Sequence, residues 1–301
     1  EMTSSLVGSE MCIRDSGHDC HMSIGLTVAK FIVDHKDELC GRIKIVFQPA
    51  EEGVRGANAV AESGVLDDVD YFVGSHIGMV AKYGEVVIDP WGFLCTTKFD
   101  VTYTGKPAHA GIEPNAGRNA LAAACSATLQ LLGIPRHGSG MTRVNVGMLN
   151  AGKGRNVIPP NATMVMEVRG ETAEINDYMA DQAMAIIKGN AISYGVDYDV
   201  RKMGAACDMK NDPDMIDALR EVAKGIPEIK TITEKANFGG SEDASLLARR
   251  VKDHGGKVAF FVNGADREAG HHQFNFDVNE EALDTGFKMF AGMVKKICGR
   301  K

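Results

Sequence analysis

The sequence predicts an α/β protein, a mostly parallel sheet with flanking helices interrupted by an inserted ferredoxin-like α+β unit. Three observations carry this. Short apolar runs at 43–47, 69–73, 84–88 and 257–262 stand among helical stretches, the order that yields parallel strands. Residues 96–204 change pattern and read strand-helix-strand-strand-helix-strand, the ferredoxin-like order. Chemistry-bearing residues gather where the predicted strands stop, and in open α/β sheets that is where ligands bind.

In chain order, residues 21–39 place Ile24, Val28, Phe31, Ile32 and Leu39 on one helical face. In 43–47 the residues Ile43, Ile45 and Phe47 recur at every second position, and Pro49, lacking an N–H, ends that strand. A short helix is expected at 56–64, a buried strand at 69–73 and another strand at 84–88. Residues 98–104 alternate and stop at Gly105, like a strand with one solvated face. A long Ala/Leu helix fills 115–132, with Cys125 expected as a small core residue, and Gly133 closes it. Strands follow at 142–148 and 162–168, then a helix at 177–194 ending at Gly195, then a strand at 196–203. Asp212-Pro213 supplies an N-cap and a first-turn proline for a helix running to about Lys224. A helix at 245–253, a strand at 257–262 and a closing helix at 279–297 complete the chain. The expected division is a catalytic domain formed by 17–95 and 205–301, with 96–204 inserted.

At 301 residues the chain has room for two domains and a large core. Its 44% hydrophobic and 24% charged residues are ordinary for a globular protein. A formal charge of -7 with no basic stripe argues against non-specific nucleic-acid binding. No apolar run reaches the length of a membrane-spanning helix. Seven cysteines, an odd number with no Cys-x-x-Cys spacing, point to a reducing, cytoplasmic setting and mostly buried thiols.

The chemistry centres on Glu51 and Glu52, just past the predicted strand at 43–47. Adjacent residues of an extended segment point opposite ways, so one carboxylate can hold a metal while the other faces a water. A Glu-Glu pair alone is ordinarily a solvated loop. Here it is joined by Gly17-His18-Asp19-Cys20-His21, Gly74-Ser75-His76 and Gly270-His271-His272, each at the end of a predicted element. Imidazole and carboxylate donors without paired cysteines suit Zn, Mn or Co.

These stretches resemble the dinuclear metallopeptidases that include aminoacylases, hippurate hydrolases, auxin-conjugate amidohydrolases and carboxypeptidase G-type enzymes. The resemblance also rests on Gln48-Pro49-Ala50-Glu51-Glu52-Gly53, Gly105-Lys106-Pro107-Ala108-His109-Ala110, Asn156-Val157-Ile158-Pro159, Gly240-Ser241-Glu242-Asp243, and His272 with Phe276. The motifs run in order over residues 17–298. Gly117-Arg118-Asn119-Ala120-Leu121 and the loop at 240–245 resemble the p-aminobenzoyl-glutamate hydrolase type, in its catalytic chain.

The resemblance implies a metal-dependent amidohydrolase acting on an N-acyl or N-aroyl amino acid, with p-aminobenzoyl-glutamate, and so folate catabolism, the preferred substrate. Alternatives are an aminoacylase, hippurate or dipeptide hydrolase, or a metal-binding fragment without catalysis. It implies two divalent metal ions, Mn or Zn, held by His18, Glu52, His76 and His272, with Glu51 as general base. His109 would polarise the scissile carbonyl from a lid domain. Asn156 and Arg169 would grip the substrate carboxylate, and Gly240 and Ser241 would bring backbone close to it. Asp19 would orient a ligand imidazole. His21 and His271 read as packing or orienting residues, and Glu242 and Asp243 as helix caps. The inserted domain would pair protomers, as a homodimer or as a heterodimer with a related chain.

Residues 1–16 fit no later pattern and resemble translated vector or adapter sequence. The expectation is that they stand in place of part of the catalytic domain, lie outside the core and leave an open sheet edge. In the resembled family a Cys ligand precedes the first His by two positions; Ser16 stands there.

Overall fold

The computed structural model describes residues 16–270, 273 and 275–300. In chain order its elements are α1 (His18–Asp34), α2 (Gly56–Glu62), β1 (Tyr71–Ile77), β2 (Glu85–Val87), β3 (Cys95–Thr104), α3 (Ala120–Leu132), β4 (Thr142–Ala151) and β5 (Asn161–Gly170). They continue with α4 (Ala173–Tyr194), β6 (Asp197–Ala206), α5 (Pro213–Lys224), β7 (Thr231–Thr233), α6 (Ala244–Asp253), β8 (Lys257–Asn263) and α7 (Glu281–Cys298).

The first sheet has the order β1-β8-β2-β7. β1 runs parallel to β8, with Tyr71 opposite Lys257 and Ile77 opposite Asn263. β2 is parallel to β7 but antiparallel to β8, so the sheet is mostly, not wholly, parallel. β8 is central and covered on both faces, which explains its unbroken Val-Ala-Phe-Phe-Val run. Ala259 and Phe261 face Met215 and Leu219 of α5 and Met289 and Met293 of α7. Val258, Phe260 and Val262 face the other way, toward Phe93, Phe238 and Ala248. This strand's two-residue period therefore builds two cores at once.

The second sheet is antiparallel, in the order β4-β5-β3-β6, with α3 and α4 packed on one face. This is the expected ferredoxin-like arrangement. Its core takes Val101 and Tyr103 from β3 and Met164 and Met166 from β5. Against them pack the alanine stripe of α3 and Met179, Ala183 and Ile187 of α4. Asn119 caps α3 by accepting the N–H of Ala122, and Thr172 caps α4 by accepting that of Ile175.

Several expectations need correction. No strand forms over 43–48: residues 42–50 take part in no ladder among the described residues. Phe47 instead lies over Gly25 of α1, and Lys44 donates to the carbonyl of Val65 at 2.6 Å. Strand propensity needs a partner edge, and this run lies where none is offered. α1 starts three residues earlier than predicted and stops at Asp34, before Leu39. Its start is set by backbone and not by a capping side chain. Gly17 has φ 80, and a Cβ there would fall 2.7 Å from Ile77 Cγ2. β7 is an addition to the expected elements, three residues long at the sheet edge. Cys125 is exposed, because α3 turns Ala120, Ala123, Ala124, Ala127 and Leu131 inward. Ser16 is buried at 3% exposure, so this residue belongs to the folded body; residues 1–15 lie outside the described residues. Among the described strands β1 and β7 are the two edges of this sheet.

Candidate metal centre

Three elements deliver side chains to one place. The turn at Gly17 aims His18 and His21 from the first turn of α1. The end of β1 supplies His76, 7% exposed. The loop before α2 supplies Glu51, held in a tight turn between Ala50 at φ 59 and Val54 at φ 50. Left-handed backbone at a β-branched valine is strained, and strain of this kind collects where a loop is held in one functional shape. Gly56 makes the turn possible, since a Cβ there would meet the Pro49 carbonyl oxygen at 1.6 Å.

The three imidazoles pack edge to face. Ring centroids of His18 and His76 are 5.7 Å apart, and those of His21 and His76 are 4.7 Å apart. Hydrogen bonds fix their tautomers. His76 Nδ1 lies 2.9 Å from the Ile77 carbonyl, which can only accept, so Nδ1 carries the hydrogen and Nε2 is the acceptor nitrogen. This is the usual arrangement behind a metal-binding imidazole. The Ile77 N–H donates to His21 Nε2 at 2.9 Å, which puts a hydrogen on His21 Nδ1. That atom is 3.3 Å from His18 Nδ1, and His18 Nε2 is 3.0 Å from Glu51 Oε2. A directed chain thus runs from Ile77 through His21 and His18 to the Glu51 carboxylate. His21 thus stands between the β1 backbone and His18.

The larger surprise is Glu242-Asp243. The donor atoms of Glu51, Glu242 and Asp243 all lie within 4.8 Å of one another. Glu242 is 6% exposed and Asp243 fully buried. Burial, reinforced by the Glu51 charge, pushes the Glu242 carboxyl up to about 8. Burial pushes Asp243 up to about 6, against the opposing hydrogen bonds from Gln48 and from the Ala57 N–H. Asp243 does not cap α6 with its side chain. Glu242 does accept the Ala244 N–H, at 3.1 Å. Crowded, desolvated carboxylates beside imidazoles disfavour their own charge, and a bound cation offsets that cost. The donor chemistry of His18, Glu51, His76, Glu242 and Asp243 therefore fits a divalent ion. Glu52 lies in the same turn by its backbone, and His272 lies outside the described residues.

The other predicted residues sit elsewhere. Asp19 is exposed, and its carboxylate accepts the Cys20 N–H at 2.9 Å. His109 and Asn156 meet on loops of the second sheet. His109 bridges Val157, and the Ala110 N–H donates to the Asn156 carbonyl at 3.0 Å. Both side chains are exposed. Arg169, on β5, makes a two-pronged pair with Glu167 at 3.0 and 3.2 Å. The Ser241 hydroxyl donates to the Leu94 carbonyl at 2.8 Å, and the Leu94 N–H donates to the Gly240 carbonyl at 2.9 Å. These bonds fasten the loop that carries Glu242.

A mixed α/β sheet carrying imidazoles and carboxylates at its strand ends, beside a ferredoxin-like unit, defines the metallopeptidase class of fold. The family described as Peptidase family M20/M25/M40 matches residues 16–296, and the chain belongs to it. The chain is 53% identical over 281 residues to a homolog, in Haemophilus influenzae, of one p-aminobenzoyl-glutamate hydrolase subunit, covering 93% of this chain and 66% of that relative. It is 46% identical over 270 residues to the indole-3-acetyl-aspartic acid hydrolase of Enterobacter agglomerans, covering 89% and 62%. Among solved structures, the aminobenzoyl-glutamate utilization protein from Klebsiella pneumoniae superposes with a TM-score of 0.82 at 40% identity, covering 91% and 66%. The chain thus spans just under two thirds of the length of these relatives.

Proposed function

We propose that the protein is a metal-dependent amidohydrolase that cleaves an N-acyl or N-aroyl amino acid, with p-aminobenzoyl-glutamate the preferred substrate. The observation that carries this is the gathering of Glu51 with the buried pair Glu242-Asp243, with His18 paired to Glu51 and His76 packed against His18. The relatives' names, which specify amide-linked aryl or indolyl amino acids, support the substrate class. In this reading residues 17–95 and 205–301 form the catalytic part and 96–204 the lid.

His18, Glu52, His76 and His272 are the proposed ligands of two divalent ions, Mn or Zn, with Glu242 and Asp243 adding charge around them. When bound, the ions supply Lewis acidity that activates water and polarises the amide carbonyl. Glu51 takes the proton from the attacking water and returns it to the leaving nitrogen. His18 Nε2 lies 3.0 Å from the Glu51 carboxylate, a contact it would give up to ligate an ion, which would leave Glu51 to the water. Arg169, with Asn156, grips the substrate carboxylate; its Nε and Nη2 are held by Glu167, so the substrate would take the end formed by Nη1 and Nη2. His109 donates to the developing oxyanion. Asp19 acts at the start of α1, and Gly240 and Ser241 hold the loop beside the substrate. The Haemophilus influenzae relative is named as one subunit of its hydrolase, which supports an assembly with like or related chains. The cytoplasm is the proposed compartment, on the odd and dispersed cysteines.

A panel of p-aminobenzoyl-glutamate, hippurate, N-acetyl amino acids and dipeptides, offered to Mn- or Zn-loaded protein, tests the reading. Fastest release of p-aminobenzoate supports it, and cleavage of dipeptides alone overturns the substrate class. A second reading, metal binding without turnover, is favoured by one observation: buried Ser16 stands two positions before His18, where a thiolate would bind metal better. Under that reading Ser16→Cys tightens metal binding and brings turnover that the parent chain lacks.

A further inference from the structure

Far from this centre, the foot of α1 meets the end of the chain. The Cys40 N–H donates to the Cys298 carbonyl at 2.7 Å, and the Arg300 N–H donates to the Glu38 carbonyl at 2.9 Å. Between them Leu39 and Gly299 form an antiparallel bridge. This register puts Cys40 directly opposite Cys298. Cys298 is the last residue of α7, and the direct bond from the Cys40 N–H to its carbonyl brings the two backbones as close as a disulfide requires. The crossing is well anchored: Leu39 is buried, and Arg300 Nε donates to its carbonyl at 2.9 Å.

We infer that Cys40 and Cys298 form a reversible intramolecular disulfide site, closed by exchange with a small-molecule disulfide of the glutathione class.

The molecule holds a second opposed pair that sharpens the choice. Thr96 faces Ala206 across β3 and β6, so one step further along the register Cys95 faces Cys207. Both of those thiols are buried. Burial pushes Cys95 up to about 12, and the thiol lies against the Asp208 carboxylate. A dissolved disulfide cannot reach it. Cys40 is exposed and Cys298 only partly covered. Burial raises the Cys298 thiol above its ordinary value, and the neighbouring Cys40 raises it further. Cys40 is therefore the attacking thiol.

The exchange balances. Cys40 loses its proton to solvent, and its thiolate attacks one sulfur of the disulfide. The S–S bond breaks, and one glutathione leaves as a thiolate that takes up a proton. Cys298, deprotonated in turn, attacks the Cys40 sulfur of the mixed disulfide and expels the second glutathione. Two protein thiols and one disulfide become one protein disulfide and two free thiols, and excess reduced glutathione reverses it. In a reducing compartment the pair rests open and closes under oxidative load. Closed, it ties the foot of α1, whose other end carries His18, to the end of α7.

The 301-residue chain is equilibrated with oxidised glutathione, the remaining thiols are alkylated, and peptides are mapped without reduction. The expected result is a single link joining the Cys40 and Cys298 peptides, erased by reduced glutathione and absent from Cys40→Ser and Cys298→Ser. In Cys298→Ser the glutathione adduct should persist on Cys40, while Cys40→Ser leaves Cys298 alkylatable. The inference is overturned if wild-type Cys40 keeps its glutathione while Cys298 stays alkylatable. It is also overturned if the link joins two copies, involves Cys12, or appears first at Cys95 and Cys207.

Discussion

Glu242 and Asp243 set the charge state of the proposed centre. In the metal-free protein both hold their protons above the ordinary carboxyl range, to about 8 and about 6 respectively. The folded form therefore binds more protons than the unfolded chain across that window. Their contribution to stability is full below the unfolded carboxyl range and is lost as pH rises through about 6 for Asp243 and about 8 for Glu242. Chelated protein should show a melting temperature that falls from these groups as pH is raised through that window. Glu242→Gln should flatten the upper part of that fall, and saturating Mn or Zn should do the same in the wild type. Thermal scans of both forms against pH check this; identical slopes in wild type and Glu242→Gln would contradict it. His18, His21 and His76 were legible in the sequence because their glycine-flanked motifs begin a helix or close a strand, whereas Glu51 was legible from its motif although the strand expected before it does not form. The acidic pair was not, since it precedes a helix and reads as a cap. Its partners Gln48 and Ala57 lie 195 and 186 positions from Asp243, a closeness only the fold creates.

At the scale of elements, the loop bearing Glu51 works only if α2 can approach Pro49. Gly56→Ala puts a methyl where the carbonyl oxygen sits, so the loop or the helix must move. The expected cost is at least about 1–3 kcal/mol, the range for overpacked sites. Glu51 should lose its place beside His18, so amide turnover should drop along with stability. A chemical denaturation curve and a rate measured on the remaining folded protein separate the two effects. Most elements were legible from apolar period and caps: α5 follows Asp212-Pro213, and α3 and α4 end at Gly133 and Gly195. The run at 43–48 misled because alternation reports strand propensity and not the presence of a partner edge. β7 escaped because three residues carry too little period to read.

At the scale of the whole molecule, Glu51 sits in the turn before α2; the Val54 carbonyl of that turn accepts the Ala205 N–H of β6, and Arg169 lies on β5 of that same sheet. The proposal requires one substrate to span both, its amide at Glu51 and its carboxylate at Arg169. Arg169→Lys keeps the charge but loses the fork. A charge-assisted hydrogen bond is worth about 1.5–3 kcal/mol, so KM should rise about 10- to 150-fold with kcat much less affected. Steady-state kinetics on p-aminobenzoyl-glutamate would show it, and an unchanged KM would leave Arg169 only its pairing with Glu167. The ferredoxin-like insertion was legible as a change of pattern. The antiparallel β2–β8 contact was not, because strand direction in a mixed sheet is a property of the assembled chain. The most direct test of the proposed hydrolysis is release of p-aminobenzoate by the chelated protein, its Mn- or Zn-loaded form and loaded Glu51→Gln. Turnover should appear only on loading, with a loss of about 10²–10⁴-fold in Glu51→Gln while that variant still binds metal. Turnover that survives either chelation or Glu51→Gln would contradict it.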